Sequence, residues 1–130
     1  MTALALILAG IAGLFHVLFF KLESLDWRKP ATWKTFGLTS QADAETTAPL
    51  AYNQGFYNLF LAIGAFTGIG LVAFDDTHDT IGWTLIVFAC ACMLGASLVL
   101  ISTGRSYARA ASIQGVPSLL AVAAALVAAT

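Results

Sequence analysis

Residues 2–20 read TALALILAGIAGLFHVLFF, and this stretch decides the fold class. Apart from Thr2 and His16 it is apolar or small, and about 20 apolar residues are needed to cross the hydrocarbon core of a bilayer. No Lys or Arg precedes the stretch, and no clear cleavage site of small residues follows it. We therefore expect it to remain in the protein as a membrane span, rather than to act as a secretion signal.

Three further stretches of similar length and composition follow, over about residues 50–74, 81–101 and 113–130. The chain has 59% hydrophobic and 10% charged residues and a mean hydropathy of +0.86, far from the average soluble domain. These features predict an all-α integral membrane protein, a four-helix bundle that forms a single transmembrane domain over residues 1–130. The net charge of −1 and the lack of a basic stripe argue against binding to nucleic acid.

The basic residues predict how the spans are oriented. All six lie in two connections: Lys21, Arg28, Lys29 and Lys34 between the first and second spans, and Arg105 and Arg109 between the third and fourth. The connection over residues 75–80, DDTHDT, has no Lys or Arg. Because basic connections stay in the cytoplasm, we expect an integral membrane protein with an N-out/C-out orientation.

The first connection is the longest stretch between spans. Its first half places Trp27 and Trp33 beside basic residues, which is typical of an interfacial segment lying against headgroups. A short helix is expected there, from Pro30 to Gly37. Residues 39–47 are polar and acidic, which indicates an exposed loop ending at an N-cap, Thr47, with Pro49 in the first turn of the second span.

Polar side chains inside the apolar stretches gather toward the cytoplasmic end of each span. The first span closes with His16 and, just beyond it, Glu23; the second opens with Asn53, Gln54, Tyr57 and Asn58; the third ends with Ser102 and Thr103; and Gln114 lies at the start of the fourth. Ionisable and amide groups are costly in hydrocarbon and usually face a bundle interior or a cavity. The sequence therefore predicts a polar site near the cytoplasmic leaflet. Pro117 must lie inside the fourth span, because a helix starting there would be too short to cross.

The residue types indicate what the site would do. We expect Asn53, Gln54, Tyr57, Asn58 and Gln114 to bind the polar head of a lipid or other amphiphile. His16 and Glu23 are candidates for a general acid and base in isomerase- or epimerase-like chemistry. They are seven residues apart, roughly 10 Å along a straight helix, so a ligand, a water or the amides of the second span would have to lie between them.

Other interpretations stay open. The amides would also serve as interhelical hydrogen bonds without any ligand, as in a structural or assembly subunit of a membrane complex. A small oligomeric transporter is a further alternative. Homo-oligomers would form through Gly64 and Gly68, or through the Ala-rich last helix from Ala121 onward. We expect no cofactor and no metal, since the pattern of His, Cys and acidic residues fits no specific site.

The run NQGFYNLFLA at residues 53–62 resembles the hallmark of a family of small bacterial integral-membrane proteins, domain of unknown function 1304. The resemblance extends to His16 and Glu23 in the first helix and to QGVP at residues 114–117, so it covers nearly the whole chain. It implies a four-helix protein of the bacterial cytoplasmic (inner) membrane with these polar residues as its signature. It implies no particular activity.

Overall fold

The protein is helical along most of its length in a computed structural model, which describes residues 1–75 and 77–129. Its α-helices are α1 Thr2–Phe20, α2 Pro30–Thr35, α3 Gln41–Phe74, α4 Asp79–Thr103 and α5 Ala108–Ala128. The described residues contain no β-strand, which confirms the predicted all-α fold. Two residues of the sequence predictions lie outside the described part: Asp76 of the outer connection, and Thr130 at the end of the fourth span.

Four helices in the described part of the chain are long and apolar enough to cross a membrane. They are Thr2–Leu25, Gln41–Phe74, Asp79–Thr103 and Arg105–Ala128, with mean hydropathies between 1.8 and 2.5. Many large apolar side chains on them point outward, for example Leu14 (63% exposed) and Phe88 (66% exposed). Such surface suits lipid rather than water as the surrounding solvent. The length and composition of these four helices confirm the predicted membrane fold.

The first helix changes its geometry after Phe20. Residues Lys21–Leu25 form a π-helical turn, in which the Asp26 N–H donates to the Lys21 carbonyl oxygen at 2.9 Å. A π-turn holds more residues than an α-turn, so Glu23 leaves the helix in a different direction than in a straight α-helix. The assumption of a straight α-helix from His16 to Glu23 is therefore wrong, while their separation of roughly 10 Å stays a prediction.

The third helix begins earlier than the sequence predicts. Residues 41–47, expected to be an exposed loop, form its first turns, and Thr47 and Pro49 lie inside it rather than at its start. The N-cap is Ser40, whose Oγ accepts a hydrogen bond from the Asp43 N–H at 3.1 Å. The prediction was wrong because an exposed polar helix and a polar loop share the same composition.

The start of α3 is held by the segment that precedes it. The Trp27 indole N–H donates to the Ala44 carbonyl oxygen at 3.1 Å and lies 3.2 Å from Thr47 Oγ. Trp33 is buried and donates to Gln41 Oε1 at 3.0 Å. The expected short helix is confirmed as α2. Gly37 follows it with φ of +82°, in the left-handed region that glycine adopts without strain.

The chain divides into two compact units. The first, Met1–Phe15 with Leu61–Thr130, is called the apolar unit here, and the second, His16–Phe60, the polar unit. The core of the apolar unit consists of small and aliphatic residues such as Ala9, Ala65 and Ile86. Gly68 lies so close to Gly82 that a Cβ added at Gly68 would be 2.6 Å from the Gly82 carbonyl oxygen. The backbones of α3 and α4 therefore approach each other directly at this point.

Helix α5 packs along α4 within the apolar unit. As predicted, Pro117 lies inside α5. It has no N–H to donate to the carbonyl of Ile113. The next residue, Ser118, donates from its hydroxyl to the Gln114 carbonyl oxygen at 2.8 Å, so this carbonyl accepts a side-chain bond near the proline.

Candidate functional site

The most informative polar contact joins the end of the first helix to α3. Asn58 Nδ2 donates to Glu23 Oε2 at 2.6 Å, and it lies 3.3 Å from the Gln54 carbonyl oxygen. Glu23 and Asn58 are both half-buried. Two residues singled out in the sequence, 35 positions apart, are thus brought into direct contact, and the short distance is typical of a bond to a carboxylate.

Gly55 permits this contact. The Ser24 hydroxyl, next to Glu23, donates to the Tyr52 carbonyl oxygen at 2.8 Å. A Cβ added at Gly55 would overlap Ser24 Oγ and would lie 3.0 Å from the Ser24 nitrogen and 3.1 Å from Glu23 Cβ. Only a residue without a side chain lets the π-turn come this close to α3.

Sequence reasoning missed Ser24 and the role of Gly55. Gly55 had a signal, because glycine inside a helix costs about 1 kcal/mol relative to alanine and therefore often marks a close approach. Ser24 had none, because its partner is a backbone carbonyl 28 positions away.

Aromatic rings lie on the same two segments as the Glu23–Asn58 pair. Tyr52, Phe56 and Phe60 follow one another at intervals of four along α3, with ring centroids 5.0 and 6.1 Å apart. The ring of Phe20, three residues before Glu23, meets Phe56 edge to face at 5.0 Å. This row of rings was missed at the level of sequence, although the spacing of four residues puts the rings on one face of a helix.

His16 is fully buried, and the edge of its imidazole packs against the ring of Phe19 at 5.4 Å between centroids. It belongs to the same unit as Glu23 and Asn58. Its proposed role as an acid or base together with Glu23 stays a prediction.

The remaining predicted site residues are less enclosed. Asn53 and Gln54 are exposed, as is Tyr57, at 59%. Gln114 is half-buried on α5, in the apolar unit. Its participation in one site with Asn58 stays a prediction.

An ion-pair cluster follows the π-turn. Lys21 and Lys29 both donate to Asp26, Lys29 at 2.7 Å. The hydrogen bond from Lys21, followed by that from Lys29, holds the pKa of Asp26 below its usual range. Asp26 comes directly after the first candidate span, and its two cationic partners hold the turn that leads to α2.

The other two basic side chains of the polar unit also have partners. Arg28 Nε pairs with Glu45 Oε2 at 2.7 Å, which connects the segment before α2 to the first turn of α3. The Lys34 ammonium lies 5.5 Å from the centroid of the Trp33 ring. Both pairs are at the surface, so we expect them to orient the segment more than to stabilise it.

Two grooves lie between α4 and α5. The larger, about 510 Å³, includes Asp79, Thr80 and Trp83, and the smaller, about 230 Å³, includes Ser97 and Gly115. None of the predicted site residues lines either groove. In the part of the chain that the structure describes, no three His, Cys, Asp or Glu side chains are grouped so that they could hold a metal ion.

The fold and the polar contact define a membrane protein whose apolar helices carry a half-buried amide–carboxylate pair. The family model described as "Protein of unknown function (DUF1304)" matches residues 10–126, and the chain therefore belongs to this family. The match confirms the resemblance of the NQGFYN run, and its range contains every predicted site residue from His16 to Gln114. No curated protein and no solved structure matches the chain.

Proposed function

We propose that this protein binds the polar head of a lipid or other amphiphile at the Glu23–Asn58 pair. The observation that carries the proposal is the 2.6 Å hydrogen bond between these side chains, at the end of an apolar helix. A half-buried carboxylate is costly unless its bonding capacity is used. Among the described residues Asn58 is the one whose side chain donates to Glu23, and it reaches one of the two carboxylate oxygens. A ligand headgroup would supply the missing bonds.

The surroundings of the pair support an amphiphile. Asn53, Gln54 and Tyr57 expose hydrogen-bonding groups on the same turns of α3. Phe60 is 59% exposed one turn further along the helix and offers apolar surface for a tail. Met93 is fully buried in the core of the apolar unit and has no exposed surface to offer. We therefore place the tail along Phe60.

The distribution of basic residues supports a location for this site. All six lie in the connections near the predicted cytoplasmic ends of the spans. We accordingly propose that the headgroup binds at the cytoplasmic leaflet of a bacterial inner membrane, in a protein with both termini outside.

Acid–base chemistry on the bound amphiphile is the catalytic form of the same proposal. His16 and Glu23 would exchange protons with the ligand in an isomerisation or epimerisation, and the burial of His16 in the same unit favours this form. An imidazole gives and takes protons near neutral pH, as such chemistry requires.

The test is mass spectrometry of the lipids that co-purify with wild type, Asn58→Leu and Thr67→Val. Thr67 is exposed on the same helix, in the apolar unit, so its replacement removes a polar group away from the Glu23–Asn58 contact. We expect one amphiphile to be enriched on wild type and Thr67→Val and lost from Asn58→Leu, because leucine cannot donate to Glu23.

Folding is checked by size-exclusion profile and thermal unfolding, and Asn58→Gln serves as a second variant that keeps the amide. Equal lipid profiles for wild type and both Asn58 variants would overturn the proposal. In that case the pair would act as an interhelical hydrogen bond, as expected of a structural subunit. Loss of a defined lipid conversion in a folded His16→Ala variant would establish the catalytic form.

A further inference from the structure

The chemistry around Glu23 allows a more specific statement about the ligand, one that rests on the proposed function. We infer that the headgroup carries a positively charged nitrogen, and that the site takes the ammonium group of a membrane lipid. Three observations on the polar unit support this inference: the partners of Glu23, the partners of the Lys and Arg residues, and the aromatic rings on the two segments that carry the pair.

Glu23 is paired with a neutral group. Its described hydrogen-bond partner is the Asn58 amide, which brings no positive charge. An amide donor lowers the cost of burying a carboxylate but leaves its charge uncompensated. A cation that reaches the other oxygen of Glu23 would complete the pair.

The basic side chains of the polar unit are engaged elsewhere. Lys21 and Lys29 bond to Asp26, and Arg28 bonds to Glu45. The fourth, Lys34, lies over the ring of Trp33. Each of these contacts occupies a Lys or Arg side chain away from Glu23, so none of the four Lys and Arg side chains of the polar unit compensates its charge, and a cationic ligand can do so.

The aromatic rings favour an ammonium group over a hydrated metal ion. Phe20 and Phe56 lie within four residues of Glu23 and Asn58 along their helices, and both rings are half-buried. The ring of Tyr52, one turn before Phe56, is exposed. Aromatic faces attract ammonium groups, and a carboxylate combined with several rings is a recurring way to bind substituted ammonium ions.

The depth of the site favours a lipid as the source of this cation. Glu23 follows the 19-residue apolar helix α1 by three positions, and Trp27, a residue type enriched at membrane interfaces, comes four positions later. The carboxylate is thus placed where lipid headgroups meet the hydrocarbon core. An amine dissolved in water would gain nothing from the exposed apolar surface that Phe60 offers on α3.

The experiment is native mass spectrometry of the intact protein titrated with lipids that share the same acyl chains. The probes are phosphatidylethanolamine, phosphatidylcholine and phosphatidylglycerol, with free choline and ethanolamine as soluble competitors. We expect wild type to retain at least one of the two ammonium lipids about tenfold more than phosphatidylglycerol, as one compensated charge with ring contacts would give.

The matched variants are Glu23→Gln and Asp43→Asn. Glu23→Gln removes the charge but keeps an oxygen that can accept from Asn58, and we expect it to lose the preference for ammonium lipids. Asp43→Asn removes one negative charge from an exposed residue of the same unit, and we expect it to behave like wild type. The comparison of lipids on wild type decides the question even if Glu23→Gln does not fold.

Each of the other outcomes contradicts the ammonium inference, the lipid as its source, or the proposed function. Retention of an amphiphile that depends on Asn58 but is neutral or anionic would refute the ammonium inference and leave the proposed function standing. An unchanged preference in folded Glu23→Gln would also refute it. Displacement of the lipid by free choline or ethanolamine at similar concentrations would refute a lipid as the source. If wild type retained no lipid at all, the proposed function would fail as well.

Discussion

Both units of the molecule contain a glycine at a close helix contact, and the two contacts differ in what they bring together. In the apolar unit Gly68 faces the backbone of Gly82, and the contact is made by carbon atoms and satisfied peptide groups. In the polar unit Gly55 faces Ser24 and Glu23, and the approach brings a carboxylate within hydrogen-bonding distance of an amide. Glycine therefore marks a close approach in both units. Whether that approach forms a candidate binding site or only packs the backbone closely depends on the polar groups beside the glycine.

The largest loss of stability is expected from Gly68→Ala, which adds a methyl group at the close contact between α3 and α4. The added Cβ would meet the Gly82 carbonyl oxygen at 2.6 Å and the Ile86 nitrogen at 3.0 Å, and these backbone atoms cannot rotate away. Overpacking of this kind costs about 1–3 kcal/mol, so we expect Gly68→Ala to lower the free energy of unfolding by about 2 kcal/mol. The measurement is reversible unfolding in detergent micelles.

The matched control lies on the same helix. A Cβ at Gly70 would meet no other atom within 4 Å, so Gly70→Ala should leave stability unchanged or raise it by about 0.4–1 kcal/mol. Equal destabilisation by both substitutions would show that backbone contact at Gly68 is not what matters there.

A smaller loss of stability is expected from Gly55→Ala, because the nearest atom, Ser24 Oγ, belongs to a side chain that can rotate. The contacts with the Ser24 nitrogen and Glu23 Cβ remain, and we expect a loss of about 1 kcal/mol together with reduced lipid retention. Ser24→Ala in the same chain should recover part of the stability, since it removes the overlapping oxygen. A Gly55→Ala variant with normal lipid retention would show that the π-turn can move without disturbing the Glu23–Asn58 pair.

The smallest effect concerns the ion-pair cluster at the surface of the polar unit. The pKa of Asp26 is lowered from an ordinary value of 3.8, chiefly by its hydrogen bond from Lys21. Its contribution to stability is therefore present above about pH 4 and is lost as the pH falls through the lowered pKa of the folded state. We expect Asp26→Asn to have a slightly lower Tm than wild type at pH 7, with the difference shrinking below pH 4 and in high salt. If the difference in Tm did not depend on pH or salt, Asp26 would stabilise the protein through the shape of its side chain rather than through its charge.

Much of the fold could be predicted from the sequence because the bilayer imposes a length on every apolar helix. The spans follow from this, and so does Pro117 inside α5. Residues 41–47 could not be predicted in the same way, because their helix is held by bonds from Trp27 and Trp33, which composition does not reveal.

The candidate site was predictable in part for a related reason. Glu23 and Asn58 stood out because such residues are rare in apolar helices. Their mutual contact could not be foreseen, because it depends on a π-turn and on the approach of Ser24 to the Tyr52 carbonyl. A contact with a backbone atom does not depend on which side chain that residue carries. The sequence therefore gives almost no sign of it.

The π-turn also has a consequence for how this chain tolerates insertions and deletions. A π-turn can be regarded as an α-helix that has accepted an extra residue, so removal of one residue from Lys21–Leu25 would restore regular helix geometry. Every later side chain of the turn would then be rotated by about 100° around the helix axis, since each residue of an α-helix advances by that angle. A one-residue deletion here would leave composition, hydropathy and span length nearly untouched while turning Glu23 or Ser24 away from α3. The length of this short segment is thus as specific a requirement as the identity of its residues.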